Sequence, residues 1–104
     1  MWTFKTWWAG ADVYIAEWEW DDENVEHIAE HRIRPADVEA VWSDRPKYRR
    51  NRHGRAATHQ MIGPDGGGRF VAAFIRQADL SEGRWRAITA RPATGAESKW
   101  WELN

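Results

Sequence analysis

The spacing of apolar and polar positions predicts a sequence of short elements. In DVYIAEWEW (12–20), Val13, Ile15, Glu17 and Glu19 alternate with Tyr14, Ala16, Trp18 and Trp20, the two-residue period of a strand. The uncharged set of the two is expected to face the core. Asp21 or Asp22 can cap the helix that follows. In that helix, ENVEHIAEHRI, Val25, Ile28 and Arg32 fall on one stripe. A second helix, PADVEAVWSD, opens on Pro35, whose missing N–H costs little in a first turn. Val38, Val41 and Trp42 form its apolar face at i, i+3 and i+4.

The segment RPKYRRNRHGR (45–55) is polar and basic, with Gly54 as a turn residue. Beyond it, AATHQMIG, RFVAAFIRQ and RWRAITAR read as strands joined by PDGGG and ADLSEG, and such short connections make neighbouring strands antiparallel. The end, PATGAESKWWEL, reads as a helix with Thr94 and Glu97 in capping-box spacing. The fold expected is α+β: a small antiparallel sheet with two helices from the N-terminal half and one C-terminal helix packed on one of its faces.

Composition narrows the class. The chain has 104 residues, 42% hydrophobic and 30% charged, which suits one globular domain. Nine tryptophans supply much of the apolar area that a small domain needs. There is no cysteine, hence no disulfide framework, and no apolar run approaches the ~18 residues of a membrane span. The opening segment does not read as a signal peptide. A cytoplasmic protein is therefore expected. The net charge of −1 conceals a division: residues 1–44 carry eleven acids and three cations, and residues 45–104 carry twelve cations and five acids. Such asymmetry suggests one face for a polyanion or an acidic partner. The alternative is that the two halves neutralise each other.

The stretch HIAEH (27–31) spells H-x-x-E-H, a zinc-peptidase signature. A helix puts His27 and His31 on one face, as two zinc ligands require. A third ligand is needed, and Asp65, Asp79, Glu82, Glu97 and Glu102 stand in no ligand context. No metal and no cofactor are expected.

Read more widely, the same residues resemble the BrnT toxin family. Trp20, Asp21, Asn24, His27, Ile28, His31, Ile33, Pro35, Val38, Glu39, Val41 and Trp42 match its opening pattern. GRAATHQMIGPDGGGRFVAAFI and WRAITARPATGAESKWWE are similar to its two later blocks. The likeness spans about 18–103 and leaves 1–17 as a Trp-rich extension or edge strand. Arg32 stands where the family has glycine, and Trp100 or Trp101 where it has tyrosine. The resemblance implies a RelE-like fold and a ribonuclease toxin of a type II toxin–antitoxin pair. It also implies a cognate DNA-binding antitoxin, with a homodimer or a toxin–antitoxin heterotetramer as the assembly.

Cleavage by the ribose 2′-OH needs a base, cations around the phosphorane and an acid for the leaving oxygen. Arg91, at the strand-to-helix junction, matches the arginine of the family's T-A-R motif and is the candidate phosphate ligand. His31 can exchange a proton near neutral pH, and Glu97 can orient Arg91 or accept a proton. Lys47, Arg49, Arg50, Arg52 and Arg55, with Tyr48 to stack on a base, are the candidate RNA-binding run. Arg69, Arg76, Arg84 and Arg86 can extend the positive field. A noncatalytic protein- or RNA-binding module of the same fold is the alternative. Trp2, Trp7 and Trp8 can pack on the domain or on a neighbouring chain.

Overall fold

The computed structural model describes residues 13–52, 56–78 and 82–104. Five strands, β1 (Glu17–Glu19), β2 (Lys47–Arg50), β3 (His59–Pro64), β4 (Phe70–Gln77) and β5 (Arg84–Pro92), form one sheet in the order β1-β5-β4-β3-β2. Only the β1–β5 pair is parallel. Helices α1 (Asp22–Ala29) and α2 (Pro35–Ser43) follow β1, and α3 (Gly95–Leu103) follows β5. The fold is α+β, as the periodicity predicts.

The core lies on one face of the sheet. Tyr48, Met61, Val71, Ala73, Ile75, Trp85, Ala87 and Ala90 form one cluster with Ile28 of α1, Val38 and Val41 of α2, and Ile33 between the helices. The expectation that all three helices share this face is corrected by α3. Ile62 and Ala72, one step out of phase with Met61 and Ala73, are also fully buried, and Phe70 stacks edge-on against Trp101 of α3 at 5.0 Å. With a period of two, neighbouring residues take opposite faces, so α3 covers the second face.

The strand predicted over 12–20 shortens to β1, and its phase is wrong before residue 17. Val13 and Ile15 are buried, whereas Tyr14 is 60% exposed. The Gly83 carbonyl accepts from both Ala16 N and Glu17 N, at 2.7 and 3.1 Å. Two successive N–H groups aimed at one oxygen break the alternation, and Trp18 then turns to the core side against Trp42. The domain boundary at 17/18 therefore falls inside β1, and residues 13–17 belong to the packed unit. Trp2, Trp7 and Trp8 lie outside the described residues.

The start of α1 is built by its sequence. Asp21 accepts from Asn24 N, and Asn24 Oδ1 accepts from Asp21 N, a closed capping box. Asn24, not Arg32, shares the buried side of α1 with Ile28. Its amide donates to the carbonyls of Glu19 and Ala87 at 2.9 and 3.3 Å. Since β1 pairs with β5 only as far as Arg86, Asn24 satisfies an edge carbonyl just beyond that pairing. Arg86 fastens the same corner, holding Asp21 with both Nη atoms at 2.7 and 3.0 Å. That hydrogen bonding lowers the Asp21 carboxyl to about 2.

The end of α1 is a Schellman turn: Ile33 N donates to Ile28 O and Arg32 N to Ala29 O. Such a turn needs a left-handed residue, and Arg32 supplies it at φ 63°. Arginine pays a steric penalty there that glycine does not. The Arg32 side chain forms no ion pair or hydrogen bond among the described residues; its backbone alone is engaged, the N–H by Ala29 O and the carbonyl by Arg69 Nη1. Arg32→Gly is accordingly expected to raise the unfolding free energy by about 0.5–1 kcal/mol, read from urea denaturation midpoints at unchanged slope.

Candidate functional site

Strand pairing assembles the second face from separate parts of the chain. Lys47 pairs with Ile62, Ile62 with Ala72, and Ala72 with Arg91. The adjacent row on that face runs Arg49, Gln60, Phe74, Thr89. Lys47, Arg49 and Arg91 thus share one surface although they are far apart in sequence.

The helix α3 lays aromatic rings against Lys47 and Arg49, and β4 supplies the ring against Arg91. Lys47 Nζ stands 4.4 Å from the centre of the Trp101 ring and donates to Trp101 O at 2.6 Å. The Arg49 guanidinium lies 4.8 Å over Trp100, and its Nε donates to Gln60 Oε1 at 2.8 Å. The Arg91 guanidinium lies 5.0 Å over Phe74. Cations against ring faces keep their charge while their orientation is restricted.

Arg91 is held by Glu97 through two parallel hydrogen bonds, Nη1 to Oε1 and Nη2 to Oε2, each 2.8 Å. Glu97 also accepts from Thr94 N at 2.8 Å, and its own N–H donates to Thr94 Oγ1 at 3.1 Å. The predicted capping box is present, and it doubles as the anchor for Arg91. Burial pushes the Glu97 carboxyl up, but the hydrogen bonds from Arg91 and from the Thr94 backbone outweigh it and hold the group below the usual range. An ionised carboxylate with its acceptors engaged is suited to positioning Arg91 rather than to taking a proton. Arg91 Nη1 makes one further bond, to Pro92 O at 3.3 Å. Among the described residues the N–H edge formed by Nε and Nη2 has no further partner, and it has the bidentate geometry that suits a phosphate. The side chain is 34% exposed, enough to be reached.

The rest of the predicted run divides by strand alternation. Lys47 and Arg49 face α3. Tyr48 points the other way into the core, 9% exposed, and burial pushes its hydroxyl well above the usual range. Its ring is therefore not available to stack on a base, and the expectation for Tyr48 is corrected. Arg50 and Arg52 are exposed, with Arg50 on the core side of the edge strand. Arg55 lies outside the described residues. His31 is exposed at the end of α1, its ring 6.2 Å from that of His27. Among the described residues nothing bonds His31 to Arg91.

Of the four further arginines, Arg69 pairs with Asp37 and Asp65. Arg84 and Arg86 both reach Glu19. Only Arg76, of these four, has no carboxylate partner among the described residues. Trp100 and Phe74 were not singled out by the sequence as site residues. Trp100 is signalled only by the aromatic pair in α3, and Phe74 only by alternation with Ala72. Among the described residues no group of three or more His, Asp or Glu side chains could hold a metal ion, so HIAEH has no third ligand there. No described helix is long and apolar enough to cross a membrane.

Comparison with known proteins finds no family model that matches the chain and no curated protein that matches it.

The Arg91–Glu97 pair yields a stability prediction. Glu97→Gln is expected to cost about 1.5–3 kcal/mol near pH 7, the range for hydrogen bonds to charged groups. The Glu97 carboxyl is depressed in the folded state, so its contribution is complete above the unfolded value of about 4.3 and fades as pH falls through the folded one. The difference between wild type and Glu97→Gln, followed by guanidinium unfolding, should therefore shrink on acidification below about pH 4.

Proposed function

We propose that the chain is a BrnT-like toxin of a type II toxin–antitoxin pair: a metal-independent endoribonuclease whose RNA site is the α3-covered face of the sheet. The observation that carries this reading is the half-engaged guanidinium of Arg91. One edge is fixed by Glu97 and the other has no partner among the described residues, with Lys47 and Arg49 on the same face. The motif resemblance supports the same reading, and it supplies the partner: a cognate DNA-binding antitoxin that restrains the toxin in the cytoplasm.

In this reading the open edge of Arg91 takes two phosphate oxygens. The 2′-OH attacks the adjacent phosphorus, a P–O2′ bond forms, the P–O5′ bond breaks, and a cyclic phosphate and a 5′-hydroxyl result. Arg91 gains most as charge builds on the phosphorane oxygens. Lys47 and Arg49 hold the flanking strand, and Trp100 offers a ring to a base. Glu97 positions Arg91, whereas His31, beyond the end of the helix whose Ile28 packs into the opposite core face, has no part in this site.

A noncatalytic RNA-binding module of the same fold is the second reading. It is favoured by the saturated Glu97 carboxylate and by the lack of any bond between His31 and Arg91 among the described residues.

RNA cleavage by antitoxin-free protein in excess EDTA separates the two. Wild type is expected to cut. Arg91→Lys, which keeps a charge for Glu97 but loses the fork, is expected to cut about 10²–10³-fold more slowly, with Arg91→Ala at or below that rate. Folded wild type that leaves several RNAs intact while binding them would establish the binding module instead.

A further inference from the structure

A groove of about 340 Å³ opens between α1 and strands β4 and β5, with Asn24 among its lining residues. The two cations its strands contribute, Arg76 and Arg86, point to the sheet face that carries Arg91. The groove walls include Glu23 and His27 of α1, Arg76 of β4, Arg86 and Ile88 of β5, and Ala56. Arg76 and Arg86 face each other directly across the ladder, but their charges are unequal in effect. Arg86 is hydrogen-bonded to Glu19, Asp21 and Glu23 and is only 14% exposed in its side chain. Its charge is spent inside the protein. Arg76 is exposed and has no hydrogen bond or ion pair among the described residues. The rim carboxylate, Glu23, is engaged by Arg86 at 3.3 Å. His27 adds an imidazole without a hydrogen bond among the described residues, and Ile88 adds an apolar wall.

An uncompensated guanidinium, a neighbouring imidazole and an apolar wall match a phosphodiester with its flanking sugar. Ala72, the ladder partner of Arg91, lies ~13 Å from Arg76 along β4 at ~3.3 Å per residue. Both positions are on one face, and a short stretch of single-stranded RNA covers that span.

We propose that this groove is a second phosphate subsite of the RNA face, with Arg76 as its anchor and His27 at its wall. The inference rests on the RNA-binding part of the preceding reading and is independent of whether the chain cleaves. It places the bound strand along β4, from Arg91 toward the α1 side.

The test uses a 2′-O-methyl RNA hexamer, which cannot be cleaved by 2′-OH attack, followed by fluorescence anisotropy against salt. Arg76→Gln is expected to weaken binding about five- to tenfold and to reduce the slope of log K on log salt by about 0.7, the loss of one single-strand phosphate contact. The hexamer is also expected to move the His27 ring resonances of wild type. Equal affinity and slope for wild type and Arg76→Gln would overturn the subsite while leaving Arg91-dependent cleavage to stand or fall by itself. Inorganic phosphate run alongside separates the sources. If it moves the His27 resonances in wild type but not in Arg76→Gln, and the hexamer does not, the groove serves a free phosphate and the RNA assignment is overturned. Unchanged circular dichroism of Arg76→Gln is the folding control.

Discussion

The antiparallel ladder between β4 and β5 decides what both faces of this small domain become. Ala73 pairs with Ala90 and Ile75 with Ala87, and all four are buried in the core cluster. Ala87 and Ala90 are three residues apart, a spacing that would put them on opposite faces of a regular strand. The irregularity opposite Phe74 and Ile75 absorbs one residue and lets both alanines face α1 and α2. The same shift keeps Arg91 and Arg86 together on the other side. Without it, a cation would enter the core or an alanine would leave it. Each cost exceeds that of a local kink.

Much of the fold was legible because short-range chemistry decided it. Pro35, the Thr94–Glu97 capping box, Asp21 and the glycines of PDGGG each set a local boundary without help from distant residues. What failed was phase. Alternation alone turns Tyr14 of the first strand inward, whereas it is exposed. The shared Gly83 carbonyl that shifts it comes from residues far along the chain. The run at 45–55 hid a strand, since Lys47, Arg49 and Arg50 mask the buried Tyr48. The side taken by α3 was equally hidden, because Ile62 and Ala72 look like ordinary members of strands buried on one face.

The candidate site was legible in part. Arg91 and Glu97 could be connected from a strand-to-helix junction and a capping pattern. Arg76 could not be separated from Arg69, Arg84 and Arg86, because which arginines are neutralised depends on carboxylates brought in by β1, by the α1 corner and by the β3–β4 turn. The HIAEH stretch shows the converse. Ile28 is core, Ala29 accepts the Schellman bond, and the two histidines are the outer face of a helix whose inner face holds Asn24 and Ile28. Several residues behind the toxin-like pattern, Asp21, Asn24, Ile28, Ile33, Val38 and Val41, cap a helix or fill the core. The left-handed turn at Arg32 gives a physical reason for a glycine at that point of the pattern.

The claim at the centre of this account is that the ladder separates a structural face from an RNA face. The tryptophan indoles report on both: Trp18, Trp42 and Trp85 on the core side, Trp100 and Trp101 on α3. Titrating the protein with a noncleavable single-stranded RNA and following the indole N–H resonances tests the claim directly. Movement of the Trp100 and Trp101 signals, with those of Trp18, Trp42 and Trp85 unmoved, is the predicted result. Movement confined to Trp18, Trp42 and Trp85 would place RNA on the opposite side and contradict the assignment.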